Sequence, residues 1–411
     1  MRKRIDIFLI ITVPFFIIAY VYIWMSHGEA MKYLVWNGES VGIFPDLFES
    51  IKDSYDGKPY DGNSIYPAFA YFICWIISRF TPGDTKEWST FSLSGNGNIV
   101  GFLFFFLCTF FIYYIVREKF DKYGKKLEIL FLLWILSPGY IYCIERGNMV
   151  ILSTLFLLLF LTQYNSQKKY MQEIAIVMLA CAACMKIYPA IFGLILLIEK
   201  KYWSSLRAIF YGIFFFVVPF GFFGGYAKIA KMVKNIINLS SETGIDERGF
   251  GYGFKINIDN IVAIVCNWLG VGNVETKILS QKMMFLIVIL VLIFLFLAKA
   301  QWHKIFLITV ILTLVPGFSW IYNAVYFFLP LVFFLIDETE INRKILYIYE
   351  IGFWAIITPF PYGFLFNSLH GVNKVSISTV MNFVGAIIIL CGIIFETIKN
   401  KKHSESMLNK L

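Results

Sequence analysis

Residues 99–116 read IVGFLFFFLCTFFIYYIV, and residues 117–126 read REKFDKYGKK. Eighteen uncharged residues form a membrane-crossing helix, and the five Lys or Arg in the next ten mark its cytoplasmic end. Runs of this kind recur from the first residues to the last. Of the 411 residues, 59% are hydrophobic, 19% aromatic and 15% charged, and 44 are Phe. An average soluble domain is about 45–50% apolar and about 25% charged. With a mean hydropathy of +0.70, the chain reads as an all-α, polytopic integral membrane bundle. Soluble, collagen-like, disordered and disulfide-scaffold readings are excluded, and so is a soluble enzyme on a single anchor.

Working outward from residues 99–116, basic loops set the orientation. The first span is Asp6 to Met25, with Arg2, Lys3 and Arg4 inside. Its run is too long for a signal-peptide core and lacks a small-residue cleavage site, so the reading is a retained span. Residues 26–98 form a first extracytoplasmic segment, acidic at its start. Within it, Tyr66 to Phe80 is too short to cross and reads as an interfacial or re-entrant helix. Leu127 to Cys143 returns outward to a tight turn at Glu145-Arg146-Gly147-Asn148, and Met149 to Tyr164 goes inward. Two apolar stretches are interrupted and read as broken pairs. Glu173 to Ile198 breaks at Lys186-Ile187-Tyr188-Pro189; Ile305 to Ile336 breaks at Pro316 to Asn323. Residues 227–282 form a second large extracytoplasmic segment, with a short helix near Ile258 to Leu269. The count is about twelve spans in one transmembrane domain, 1–411, with both termini cytoplasmic.

The net charge of +9 comes from 36 Lys+Arg against 27 Asp+Glu and fits positive-inside loops. No basic tract is interleaved with aromatics, so no nucleic-acid partner is expected. The seven cysteines lie mostly in apolar runs and read as small packing residues, Cys181-Ala-Ala-Cys184 included. The four His residues have no metal-site spacing, and there is no P-loop. No cofactor is expected, although a divalent metal stays open.

The irregular features converge on the outer face and point to a cavity whose ligand joins a polar part to a lipid part. Asp46, in Phe44-Pro45-Asp46-Leu47-Phe48, is either a partly desolvated general base or an ordinary surface carboxylate. Glu49, one turn on, competes with it. Arg146 and Lys186 are cations at ends or breaks of apolar helices, where charge is costly and usually functional. Both suit a phosphate, as a bidentate fork and as a point charge; a local ion pair and snorkelling are the plainer readings. Tyr66 opens the short helix with Pro67. Ser319, Trp320, Tyr322 and Asn323 offer hydroxyl, stacking and amide groups of the kind sugars need, or belong to the aromatic belt.

Taken in order, these motifs resemble glycosyltransferase family 87. Asp46, Gly57-Lys58-Pro59-Tyr60 and Ile65-Tyr66-Pro67 are similar to its first-loop pattern of an Asp, Gly-x-x-x-Tyr and Tyr-Pro-Pro. Arg146-Gly147-Asn148 resembles its Gly-Gln/Asn turn, and Lys186-x-x-Pro189 with Lys200-Lys201-Tyr202-Trp203 its Lys-x-x-Pro segment. Pro316-x-x-Ser319-Trp320 resembles its Ser-Trp break. The likeness covers roughly residues 40–330. The departures are a Gly-to-Tyr spacing one residue shorter, Ala68 in place of the second Pro, and Tyr322-Asn323 in place of a His pair.

The resemblance implies a GT-C-type membrane enzyme on the plasma membrane, with its active site extracytoplasmic. Such an enzyme transfers one sugar, mannose or another hexose, from an outer-leaflet polyprenyl-phosphate sugar to a lipid or glycan acceptor, with inversion. By carry-over Asp46 is the base, while Arg146 and Lys186, helped by Arg248, stabilise the leaving phosphate. The other readings weighed are an envelope polysaccharide polymerase or ligase using polyprenyl-diphosphate glycans, and a lipid-sugar flippase or transporter.

Overall fold

The computed structural model describes residues 2–35, 42–62, 64–80, 95–242, 249–270, 276–316, 319–337, 341–367 and 373–408. Arg248, the helper cation expected in the second outer segment, lies outside the described residues.

The described chain is nearly all-α. Its helices are α1 (Arg2–Met25), α2 (Pro45–Tyr55), α3 (Ala68–Ser78), α4 (Gly95–Phe120), α5 (Lys125–Ile135), α6 (Pro138–Arg146), α7 (Val150–Gln163), α8 (Lys169–Met185) and α9 (Leu194–Ile198). There follow α10 (Tyr202–Val217), α11 (Lys228–Glu242), α12 (Phe254–Trp268), α13 (Thr276–Leu297), α14 (Gln301–Leu314), α15 (Phe328–Ile336), α16 (Arg343–Ile357) and α17 (Ile377–Leu408). Before α17 an antiparallel hairpin pairs β1 (Phe364–Asn367) with β2 (Asn373–Ser376), an element the apolar pattern does not announce.

Among the described residues, five helices are long and apolar enough to cross a membrane, or six with α5 and α6 taken as one bent span. The sequence reading counts about twelve. Part of the difference lies in shorter apolar helices at Val150–Gln163, Tyr188–Ile198, Gln301–Leu314 and Ile321–Ile336, and Ala68–Ser78 is short as the sequence reading expects. At 1.5 Å per residue, each of these falls short of a ~30 Å hydrocarbon core.

Each break has a local cause. The Leu127–Cys143 run, expected as one span, bends by 55° between α5 and α6, where Pro138 lacks the N–H that would continue the ladder. At the end of α8, Lys186 turns to extended backbone (φ −144°, ψ 139°) ahead of Pro189, and a 3₁₀ turn, Tyr188–Gly193, leads into α9. The second expected outer segment is largely helical, holding α11, α12 and the start of α13.

The chain forms two compact units. One comprises residues 1–36, 123–140 and 245–411. In it α16 packs closely on α17, where a Cβ at Gly385 would lie 2.5 Å from the Gly352 carbonyl oxygen. Small residues let two backbones approach this closely in apolar surroundings. The other unit comprises residues 37–122 and 141–244. Within it Tyr60, Ala68, Tyr71, Phe220, Phe223 and Met232 form a buried cluster beneath α11. Lys228 of α11 pairs with Asp61 at 2.5 Å, and Asn235 donates to the Gly62 and Ser64 carbonyls at 3.1 and 3.0 Å. These bonds tie the segment before Tyr66 to α11.

Candidate active site

The site in the second unit starts from the way Asp46 is held. Pro45 opens α2 at a position where a missing N–H costs nothing. Asp46 therefore sits in the first turn, where the helix dipole favours a carboxylate. The preceding residue, Phe44, adopts left-handed backbone (φ +67°), a conformation that costs a non-glycine residue about 1 kcal/mol or more. Its surroundings offset that cost. The Phe44 N–H donates to the Glu145 carbonyl at 2.9 Å, and its ring stacks on Phe105 at 5.5 Å. A Cβ on Gly101 would strike that ring at 2.3 Å.

The facing turn is fitted just as closely. Gly147 has φ +70°, and a Cβ there would lie 2.7 Å from the Phe44 Cα. Both the backbone sign and the close approach therefore require glycine. The turn delivers Arg146 at the end of α6 and Asn148 just before α7. Arg146 pairs with Asp46 Oδ1, with the two side chains only 14% and 18% exposed. Asn148 Nδ2 donates to Asp46 Oδ2 at 2.9 Å and makes a longer contact, 3.4 Å, with the Tyr66 hydroxyl.

Lys186 is buried, and its Nζ stands 5.9 Å from the centre of the Tyr66 ring, within electrostatic reach of Asp46. Tyr66 is steadied from behind, because the Tyr60 hydroxyl donates to its carbonyl at 2.8 Å. Four of the expected residues, Asp46, Tyr66, Arg146 and Lys186, thus meet in one place. Glu49 lies at its exposed edge. Partial burial, then the Asp53 and Asp46 carboxylates, push the Glu49 carboxyl above its ordinary value. Burial likewise raises Asp53, against a bond donated by Ser64 at 2.7 Å.

The expected polar group at the second break lies in the other unit and is used differently. Ser319 Oγ donates to the Thr313 carbonyl at 2.6 Å, a group left over where α14 ends. Asn323 Nδ2 donates in turn to Ser319 Oγ at 2.9 Å. Ser319, Tyr322 and Asn323 are buried. Trp320 pairs with Gly251 in an isolated antiparallel bridge, with Tyr252 N donating to Ser319 O and Ile321 N to Phe250 O.

Asn148 is the residue the sequence reading missed as a member of the site. It was visible only as the last letter of a turn motif, and its partner lies 102 positions away. No three His, Cys, Asp or Glu side chains are placed to hold a metal ion among the described residues.

A half-buried carboxylate held by a cation and an amide, with a buried cation beside it, can take a proton from a hydroxyl and receive an anion. The segment that supplies Tyr66, Arg146, Asn148 and Lys186 also has a recognisable pattern. Residues 65–242 match the model of glycosyltransferase family 87. The family 87 match covers less than half of the chain; it leaves out Asp46 and Glu49 on one side and the Ser319 break on the other. It supports a glycosyltransferase, with a sugar donor and an acceptor as substrates. No curated protein and no solved structure matches the chain.

Proposed function

We propose that this protein is a GT-C-type glycosyltransferase of the plasma membrane that acts at the extracytoplasmic face. It moves a single hexose from a polyprenyl-phosphate sugar to a lipid-linked or glycan acceptor, with inversion at the anomeric carbon. The observation that carries this reading is that Arg146 pairs with the Asp46 carboxylate while buried Lys186, from a separate helix break, stands over the Tyr66 ring beside it. In this reading the shorter apolar helices complete about twelve membrane segments of one catalytic domain.

Asp46 accepts the proton of the acceptor hydroxyl. A carboxylate has about four lone-pair sites; Arg146 and Asn148 occupy one on each oxygen, and the rest serve the acceptor. The acceptor oxygen then bonds to the anomeric carbon as the bond from that carbon to the phosphate oxygen breaks. The departing polyprenyl phosphate changes from a phosphodiester to a monoester and gains charge. Arg146 and Lys186 meet that charge where it develops, the interaction that lowers a barrier most. Tyr66 lies between Lys186 and Asn148, suited to contact the sugar. Glu49 at the rim completes the proposed substrate-binding set in this unit, while Ser319 and Asn323 shape the second break.

The test uses purified protein in nanodiscs with synthetic short-chain polyprenyl-phosphate mannose, glucose and galactose. Release of polyprenyl phosphate from one donor is expected. Absence of both turnover and binding for all three would contradict the reading.

A further inference from the structure

The geometry points to Asn148 as the positioning residue that fixes the Asp46 carboxylate for proton transfer. This inference rests on the reading of Asp46 as the base.

An asparagine amide can face either way, so its neighbours must decide which end meets Asp46. Here they do. Asn148 Oδ1 accepts from the Val150 N–H at 3.2 Å, one of the N–H groups that the first turn of α7 leaves without a helical partner. With the oxygen committed there, the NH₂ end must point at Asp46 and Tyr66, and the two distances agree. The main chain cannot swing either. Asn148 N donates to the Cys143 carbonyl at 3.0 Å, the Cys143 thiol returns a contact to the Asn148 carbonyl at 3.3 Å, and the residue is fully buried.

The two partners of Asp46 therefore differ in kind. Arg146 reaches Oδ1 on a long side chain and suits a second anion as well as a first. Asn148 reaches Oδ2 on a short side chain bonded at both of its ends. When a donor phosphate draws on Arg146, Asn148 keeps the carboxylate in place. It has no proton to give up, so it orients the base without competing for its role.

The experiment must separate this task from the helix cap. Asn148→Asp is nearly isosteric and keeps an oxygen for the Val150 N–H, but it replaces the donor to Asp46 with an acceptor. Asn148→Ser also keeps a capping oxygen and lacks the reach. Both are assayed in nanodiscs with the best of the three short-chain donors, beside wild type and Asp46→Asn, with thermal midpoints recorded. A folded Asn148→Asp protein is expected to lose about 30-fold in kcat, with donor KM within threefold, as for a misplaced catalytic group. Its optimum is expected to move to lower pH, where a proton on the introduced carboxyl restores a donor. Asn148→Ser is expected to show the same kcat loss with the wild-type optimum.

Wild-type kcat and pH profile in a folded Asn148→Asp protein would leave Asn148 as a helix cap and overturn the inference. If Asn148→Asp fails to fold, wild-type kcat in folded Asn148→Ser would do the same. An active Asp46→Asn protein would instead overturn the reading of Asp46 as the base, and this inference with it.

Discussion

Two breaks in apolar helices use the same kinds of side chain to opposite ends. At Ser319–Asn323, hydroxyl and amide close on the chain's own backbone: Ser319 bonds the Thr313 carbonyl and Asn323 bonds Ser319. At Arg146–Asn148, guanidinium and amide leave their own helix and meet a carboxylate about a hundred residues away. Inside a membrane, every backbone group released by a break must find a partner. Polar side chains at a break are thus first a structural necessity. They become chemistry when they bind a charge that another segment brings, as Asp46 is brought by α2. The polar composition of a break does not by itself mark a substrate site.

The contrast can be broken in order of expected effect. Gly147→Ala should be the most damaging change at the first break. The new Cβ would stand 2.7 Å from the Phe44 backbone, on a residue with φ +70°, so α2 and the Arg146 turn must part. Loss of about 10²-fold or more in turnover is expected, the scale seen for a misplaced catalytic group, with a lowered thermal midpoint. A Gly147→Ala protein that turns over normally would show that the fit between Phe44 and the turn is dispensable.

Ser319→Ala should do the reverse. It leaves the Thr313 carbonyl and the Asn323 amide without their partner, a cost of about 1–3 kcal/mol in stability. Turnover per folded molecule should stay within threefold of wild type. A loss of tenfold or more with an unchanged thermal midpoint would make the second break a substrate site after all.

Glu49→Gln tests the rim and should have the smallest effect. A carboxyl whose pKa is raised in the folded protein binds its proton more tightly there than in the unfolded chain. Stability therefore falls as pH rises from its ordinary value through the raised one. Removing the charge should flatten that decline, by about 1 °C or less in thermal midpoint at neutral pH for so exposed a group. A lowered midpoint at neutral pH would mean that the Glu49 charge is stabilised instead.

The sequence reveals much of this and hides some of it for identifiable reasons. Asp46, Arg146 and Lys186 stand out because charge beside apolar runs is costly and therefore conspicuous. Lys186 before Pro189 also announces the end of α8. Asn148 is not conspicuous, because an amide in a turn is ordinary until its partner is known, and that partner is remote in sequence. Phe44 gives no sign of its left-handed backbone, which depends on the space that Gly101 and Gly147 leave for it. Pro138 carries the bend between α5 and α6, but a single proline within a long apolar run is compatible with a straight span too. Ser319 and Asn323 read by residue type as sugar-binding groups or as part of an aromatic belt, and the sequence does not show that their hydrogen bonds close on the Thr313 carbonyl and on each other. Residue type locates the costly groups; only the partners tell whether the cost is structural or functional.

The most direct measurement is single-turnover release of polyprenyl phosphate from the best short-chain donor, with Asp46→Asn and Ser319→Ala beside wild type. Donor binding is measured on the same samples. The account predicts a loss of about 10³-fold for Asp46→Asn with donor binding retained, the scale of removing a general base, and near-normal release by folded Ser319→Ala. Asp46→Asn releasing the lipid within tenfold of wild type would contradict it.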